Sequence, residues 1–187
     1  MASKANFFSG FSFFKRKNPS SEAKRALLVV GLGNPGPRYA NTRHNVGFMA
    51  VDFLAGVDAA WKKEKSYLIA KTEAAIFIKP ETFMNLSGTA VQVAMTKHKI
   101  PLSNVTVIHD DIDLKLGDTR TKTGGGHAGH NGLKSIDAAI GRDYKRIRIG
   151  IGRPEILEQD VSSWVLGRWT KTELDAIQKS IANISIE

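Results

Sequence analysis

The chain has 187 residues, 42% of them hydrophobic, a formal net charge of +9 and no cysteine. This length suits one packed domain better than two, and the lack of cysteine excludes disulfides, thiolate catalysis and cysteine-based metal sites. The positive charge favours a polyanionic partner, because lysine and arginine contacts to phosphates release counterions, although solubility alone would also explain it.

The first 25 residues differ in composition from the rest. They carry six basic side chains against one acid, and they hold five of the nine phenylalanines. No apolar run there is long enough to span a bilayer, and the order of apolar residues first and basic residues second is wrong for a secretory signal. We expect residues 1–25 to be a basic, Phe-rich, disordered extension, with organelle import as the lesser alternative, and residues 26–187 to form one domain.

The predicted domain opens with a buried strand. The apolar run from Ala26 to Val30 leads into a glycine-rich turn. A polar loop follows, and then a helix whose apolar residues recur at helical spacing on one face. Those residues are Val46, Met49, Ala50, Phe53 and Leu54. Two short apolar runs within residues 66–78 are typical of strands, and a helix is predicted from about Ser87 to His98.

The second half of the domain continues this alternation. Residues 104–109 predict a buried strand and residues 117–122 a more polar one, and a helix follows Asn131. Residues 144–150 alternate between basic and apolar side chains, which indicates a strand with one face of each kind. A last helix opens on a capping box at Thr170. The order of elements predicts a single α/β domain of three layers, with a mixed, mostly parallel central sheet and helices on both faces.

Polar clusters lie where the predicted strands end or the helices begin. An α/β fold places its active-site loops at such positions, so one cleft is expected to collect a histidine, an aspartate and several asparagines. The clusters are GLGNPG (31–36) with TRHN (42–45), FMNLSG (83–88), HDDID (109–113) and GGGHAGHNG (124–132).

The first of these clusters imitates a dinucleotide-binding fingerprint, since it matches G-x-G-x-x-G after a strand. In that fingerprint a helix opens directly on the third glycine, so that its N-terminal amides face the pyrophosphate. Here Pro35, Pro37 and a polar stretch delay the helix, and Asp52 falls inside it rather than at the end of a second strand. A nucleotide site is therefore a weak alternative.

A metal site is the second alternative. Its candidate ligands are His109, Asp110, Asp111, Asp113, His127 and His130. Side chains alternate along an extended segment, so Asp111 and Asp113 point one way and Asp110 the other. The glycines around the two later histidines indicate a tight loop. Hydrolytic metal chemistry stays open as the less favoured interpretation.

The third interpretation is acid–base chemistry without a metal. A neutral imidazole can take a proton from water when a buried carboxylate fixes its tautomer, and His44 with Asp110 would supply that pair. No G-x-S-x-G nucleophile motif is present, so water is the predicted attacker. Amides of Asn34, Asn85 and Asn131 could then bind a substrate carbonyl or its oxyanion, although a lone asparagine in such a loop is usually only a turn residue.

Taken in order, and followed by RIRIGIGRP and VLG, these motifs resemble the bacterial-type peptidyl-tRNA hydrolase family over roughly residues 26–180. The resemblance implies hydrolysis of the ester that joins a peptide to the 3′ end of tRNA, which recycles tRNA from aborted translation. It also implies a cytoplasmic monomer with no metal, organic cofactor, membrane or obligate protein partner. The family normally continues with more helix, so the domain of residues 26–187 is expected to be short at its C-terminus.

The resemblance also assigns roles to individual residues. The catalytic histidine falls on His44 and its orienting aspartate on Asp110. Substrate-binding positions fall on Asn34, Tyr39, Phe83, Met84, Asn85, His130 and Asn131. Basic residues that contact tRNA, through its acceptor stem, fall on Lys122 and Arg148.

A function of another class also fits this fold. The chain resembles a plant chloroplast splicing factor that binds RNA and partners without relying on hydrolysis. The presence of both His44 and Asp110 favours the enzyme, because a binding protein needs neither. Turnover distinguishes the two, since a binding module would hold RNA in a salt-dependent manner and release no peptide.

Overall fold

A mixed, seven-stranded sheet forms the centre of the protein in the computed structural model, which describes residues 26–154 and 160–186. The strands are β1 Leu28–Gly31, β2 Lys62–Lys63, β3 Tyr67–Lys71, β4 Ile76–Pro80, β5 Val105–Asp111, β6 Thr119–Thr123 and β7 Lys145–Gly150. Their spatial order is β2-β3-β4-β1-β5-β7-β6. The four central strands pair in parallel, and the pairings toward both edges are antiparallel. The predicted extension over residues 1–25 lies outside the described residues.

Helices cover both faces of this sheet, as predicted. They are α1 Val46–Ala55, α2 Ser87–His98, α3 Asn131–Ile140, α4 Val161–Val165 and α5 Lys171–Ala182. Side chains alternate along a strand, so Leu28 and Val30 of β1 pack in a core with α2 and α3, while Val29 packs in the opposite core with α1 and α5. No helix in the described ranges is long and apolar enough to cross a membrane.

The buried face of α1 differs from the prediction. Phe53 was expected in the apolar stripe but is 56% exposed, whereas Val51 is fully buried. The reason is Gly47, where an added Cβ would lie 2.4 Å from the main chain of both Leu32 and Ile108. A glycine at the point of closest approach lets the helix backbone rest on the sheet. Apolar periodicity does not detect that contact. The buried face of α1 is therefore the one that carries Gly47 and Val51, and Phe53 lies outside it.

Most other predicted elements are present near their expected positions. The helix of residues 87–98 and the capping box of Thr170 with Glu173 are confirmed. The strand predicted over residues 104–109 extends two residues further, to Asp111. The short elements β2 and α4 were not predicted, because two to five residues do not establish a period. The chain after Gly31 forms no helix until the turn at residues 43–45 and α1, which differs from a dinucleotide-binding unit.

Arg146 lies on the basic face predicted for β7, but it is not exposed to solvent. Its side chain is completely buried, and its Nη2 donates to Asp137 Oδ1 at 2.8 Å. The Tyr144 hydroxyl donates to the same carboxylate oxygen at 2.7 Å. Arg146 Nη1 also donates to the carbonyl oxygen of Gly126 at 2.9 Å. This buried ion pair therefore joins β7 to α3 and to the glycine-rich loop before it.

We expect Arg146→Met to lower the free energy of unfolding by about 3–5 kcal/mol, because it leaves the buried carboxylate of Asp137 without its closer cation. Urea unfolding followed by circular dichroism measures the loss. The double variant Arg146→Met/Asp137→Leu should recover most of the stability, since it removes the uncompensated charge as well. A single variant that unfolds at the wild-type urea concentration would contradict this account.

Candidate active site

A cleft of about 830 Å³ opens beyond the carboxyl ends of the parallel strands, where α/β folds bind their ligands. The residues that were predicted for the site and line this cleft are Asn34, His44, Phe83, Met84, Asn85, Asp110, Lys122, His130, Asn131 and Arg148. Tyr39 is not among the lining residues. The motifs, which are far apart in the chain, therefore converge on one cavity.

His44 is held at the cleft by a short 3-10 turn, Arg43–Asn45, which leads directly into α1. Its imidazole is nearly buried, with 11% of the side chain exposed, and its Nδ1 lies 2.8 Å from Asp110 Oδ1. A carboxylate can only accept a hydrogen bond, so the proton between them is on Nδ1. Nε2 of the neutral imidazole therefore keeps its lone pair, as a general base requires.

His130 contacts the same carboxylate oxygen. Its Nδ1 accepts from the main-chain amides of Gly132 at 3.1 Å and Leu133 at 3.4 Å, and so caps the N-terminus of α3. With Nδ1 an acceptor, the proton of the neutral ring is on Nε2, which donates to Asp110 Oδ1 at 3.0 Å. Asp110 is thus fixed by two imidazole donors, one of which is anchored to a helix terminus.

The charge of Asp110 dominates the electrostatics of this group. Burial by itself raises the pKa of Asp110, but the charges and hydrogen bonds of His44 and His130 outweigh it and hold that pKa well below its ordinary value. Burial by itself lowers the pKa of His44, but the charge and hydrogen bond of Asp110 outweigh it and raise that pKa above 6.5. The pair therefore combines an ionised carboxylate with an imidazole whose pKa lies above its ordinary value.

Among the described residues, His44, Asp110 and His130 are also the group whose ligand atoms lie close enough to hold a metal, within 4.8 Å of one another. The tautomer of His130 opposes that use, because a metal at Nε2 would move the ring proton to Nδ1, against two amide donors. The remaining acids of the segment also line the cleft, but each is paired with an arginine. Asp111 pairs with Arg148 at 2.6 Å and Asp113 with Arg153 at 2.5 Å.

Asn34 is fixed from two directions. Its side-chain Oδ1 accepts from the amide of Met84 at 2.8 Å, which leaves Nδ2 as the donor that the side chain can offer to a ligand. Its main-chain N–H and C=O are both bonded to the side chain of Asn45, at 2.9 Å each. Asn85 and Asn131 are exposed on the cleft wall, so all three predicted asparagines border the same space.

Sequence reasoning missed the role of Asn45, which is 2% exposed. It lies in the same tetrapeptide as His44, and its side chain locks the loop that carries Asn34. The sequence offered one sign of this role, which is the position of Asn45 directly after His44, where a helix begins. Its partner eleven residues earlier could not be identified from spacing alone.

His109 is a candidate metal ligand in the sequence, but the structure shows a buried ring beside the group of His44, Asp110 and His130. Its Nδ1 lies 2.7 Å from the main-chain oxygen of Asp110, and its ring meets that of His130 edge-on at 5.1 Å. Complete burial lowers the pKa of His109 to about 3. This histidine therefore packs beside the site without carrying charge at neutral pH.

One part of the cleft lining was not predicted from the sequence. It is formed by α4 and the residue after it, through Val161, Ser162, Val165 and Leu166. Val161 and Leu166 are 44% and 41% exposed, so apolar side chains face the open cavity. Lys122 and Arg148 lie on a different part of the lining, where the side chain of Arg148 is tied to Asp111.

Comparison with known proteins shows which family this chain resembles. The family model described as peptidyl-tRNA hydrolase matches residues 28–186. A curated peptidyl-tRNA hydrolase of Rickettsia bellii (strain RML369-C) is 47% identical over 166 residues, which cover 85% of this chain and 89% of that protein. One of Sulfurovum sp. (strain NBC37-1) is 47% identical over 164 residues, covering 84% and 85%.

A solved structure gives the same result. The crystal structure of peptidyl-tRNA hydrolase from Acinetobacter baumannii superposes with a TM-score of 0.78 at 38% identity, covering 87% of this chain and 86% of that one. Family model, curated relatives and solved structure all extend across the sheet and the cleft. The chain belongs to the peptidyl-tRNA hydrolase family.

Proposed function

We propose that this protein hydrolyses the ester bond between the peptide and the 3′-terminal ribose of peptidyl-tRNA, and so recycles tRNA from aborted translation. The observation that carries the proposal is the hydrogen bond of 2.8 Å between His44 Nδ1 and Asp110 Oδ1 at the base of the cleft. Membership of the family supports the choice of substrate. The enzyme is thus a carboxylic ester hydrolase that acts on aminoacyl- or peptidyl-tRNA.

In the proposed mechanism, His44 acts as the general base. Its Nε2 takes a proton from water, which attacks the ester carbonyl, while Asp110 stabilises the imidazolium that forms. The amide groups of Asn34, Asn85 and Asn131 position the peptide and the water and donate to the developing oxyanion. An ester suits this machinery, because its alkoxide leaving group needs less assistance than the amine of an amide. The reaction as proposed uses no metal and no organic cofactor.

The remaining predicted residues bind the substrate in this proposal. Phe83, which is 58% exposed, and the buried Met84 line the cleft near the peptide, and His130 holds the carboxylate of Asp110. Tyr39 keeps its predicted substrate-binding role, at a position outside the cavity lining.

We propose that Lys122 and Arg148 contact the acceptor-stem phosphates, since phosphate contacts orient a nucleic acid without reading its sequence. Both residues line the cleft. The ion pair with Asp111 fixes Arg148, and its hydrogen bond keeps the pKa of Asp111 low in spite of burial, which alone would raise it. The partner is therefore peptidyl-tRNA, bound by its peptide and its acceptor stem.

We further propose that the protein works as a cytoplasmic monomer without an obligate protein partner. In this proposal residues 26–187 form the catalytic domain, and residues 1–25, with six basic side chains and one acid, form a basic extension. Import into an organelle through residues 1–25 is the lesser possibility. The polar group at the cleft favours catalysis over an RNA-binding function alone, because RNA binding has no use for a buried His44–Asp110 pair.

The function is tested by the release of an N-blocked aminoacyl group from tRNA, measured with and without the chelator EDTA. We expect release at the same rate in both conditions, since the proposed chemistry passes through side chains only. Loss of release with EDTA, restored by added Zn²⁺, would replace the base mechanism with a metal site at His44, Asp110 and His130. RNA binding without any release would favour the splicing-factor-like alternative.

A further inference from the structure

Arg43 precedes the proposed base in the chain, yet it plays no part in the chemistry described above. It is 6% exposed, and its Nη2 donates to both carboxylate oxygens of Glu173 in α5, at 2.8 and 3.0 Å. Its guanidinium carbon lies 3.7 Å from the centre of a Trp164 ring in α4. The planar guanidinium of an arginine can donate two hydrogen bonds to a carboxylate and stack on an aromatic ring at the same time, which the ammonium group of lysine cannot do.

The main chain around Arg43 is joined to the same segment. The amide of Arg43 donates to the carbonyl oxygen of Gly167 at 3.0 Å, and Thr42 forms an antiparallel bridge with Arg168. The approach at Gly167 is close, because an added Cβ there would lie 2.6 Å from Arg43 Nη1. The side-chain group of Arg43, Glu173 and Trp164 is called the clamp below.

The clamp connects two sides of the cleft. On one side, Arg43 is the chain neighbour of His44 and shares its 3-10 turn. On the other, Trp164 belongs to α4, which supplies the wall that contains Val161 and Val165. Arg43 therefore links the turn that carries His44 to the apolar wall formed by α4.

His44 has supports that do not involve the clamp. Its Nδ1 bonds to Asp110, and the turn that carries it is fixed by the hydrogen bonds between Asn45 and Asn34. Besides the clamp and the main-chain links at Gly167 and Arg168, the α4 wall is held by the bond from Trp164 Nε1 to the carbonyl oxygen of Gly152 at 2.8 Å. Weakening the clamp should therefore displace the wall more than the base.

We infer that Arg43, together with Glu173 and Trp164, positions the α4 wall against the catalytic histidine, and that this arrangement serves substrate binding rather than bond cleavage. The inference rests on the proposed hydrolase function for its substrate. Arg43 is a positioning residue in this scheme, since it acts through α4 and touches no reacting atom.

Two variants test the inference. Arg43→Lys keeps the charge and loses the fork and the stacking, and Glu173→Gln keeps the shape and loses the charge. The matched control is Glu64→Gln, which removes an exposed ion pair with Lys97 of 2.6 Å, away from the residues that line the cleft. For each full-length protein we would measure kcat and KM on N-blocked aminoacyl-tRNA, the melting temperature, and the Kd of a non-hydrolysable analogue with an amide in place of the ester.

We expect KM and Kd to rise about three- to tenfold in both clamp variants while kcat stays within about twofold, the pattern of lost uniform binding. The control should change neither constant. A lower melting temperature with unchanged KM and Kd would reduce the clamp to a structural role and overturn the inference, as would a loss confined to kcat. If the wild type binds the analogue but shows no turnover, the hydrolase proposal fails, and the clamp is then judged on Kd alone. A wild type that does not bind the analogue would overturn the inference.

Discussion

Replacing His44 by alanine is expected to lower kcat by about 10²- to 10⁴-fold, the usual contribution of a general base. The variant removes the imidazole that acts as the base in the proposed mechanism, and it leaves the asparagine donors in place. Binding should therefore persist. Single-turnover release from N-blocked aminoacyl-tRNA, together with the Kd of the amide-linked analogue, separates the two effects.

The matched control is His98→Ala, which removes a histidine from the last turn of α2, away from the cleft. Its kcat should equal that of the wild type. The melting temperature of the His44→Ala variant must also be measured, because the variant removes one of the two imidazole partners of the buried Asp110. If a folded His44→Ala variant retained wild-type turnover, the base would have to be another residue.

The second large effect is expected for Asp110→Asn, which should lower the maximal kcat by about 10²- to 10⁴-fold. An amide cannot stabilise the imidazolium as a carboxylate does, and it can present its NH₂ group to His44 and so favour the wrong tautomer. The variant is nearly isosteric, so the cleft should keep its shape. Ligand binding close to that of the wild type is the corresponding control.

The same variant should change the pH profile in a direction that follows from the electrostatics. His44 works in its neutral form, so kcat/KM rises as the pH increases through its pKa, which Asp110 raises above 6.5 in the wild type. Without that charge, burial alone acts on the imidazole and lowers its pKa. The acidic limb of kcat/KM should therefore move to lower pH while the plateau falls. An acidic limb that stays in place would show that another group controls it.

Several features of the fold could be predicted from the sequence because local rules determine them. The apolar run after Ala26 and the alternation near Arg146 indicate strands, and the sequence order of elements indicates helices on both faces of a mixed sheet. Because polar clusters followed strand ends, the convergence of His44 with Asp110 could be expected. Only the resemblance to the peptidyl-tRNA hydrolase family indicated which substrate those residues would act on.

The rest depended on contacts that have no local signature. Gly47 turns α1 by bringing its backbone onto the sheet, which a hydrophobic count does not detect. The burial of Arg146 follows from Asp137 on a neighbouring helix, whereas the alternation along residues 144–150 indicates only that one face of the strand is basic. Arg43 lies in the TRHN motif, but the position of its side chain depends on Glu173, which lies in a different helix.

Oδ1 of Asp110 is bonded to both His44 and His130, and this limits where the proton removed from water can go. Among the described residues, the hydrogen bonds of this oxygen lead only to His44 and His130, and Nδ1 of His130 already accepts from two amides of α3, so His130 offers no onward path for a proton. A proton gained by His44 at Nε2 must leave through Nε2. In the proposed mechanism it passes to the departing ribose oxygen, so that one nitrogen serves first as base and then as acid, and each catalytic cycle returns the cleft to its starting protonation state.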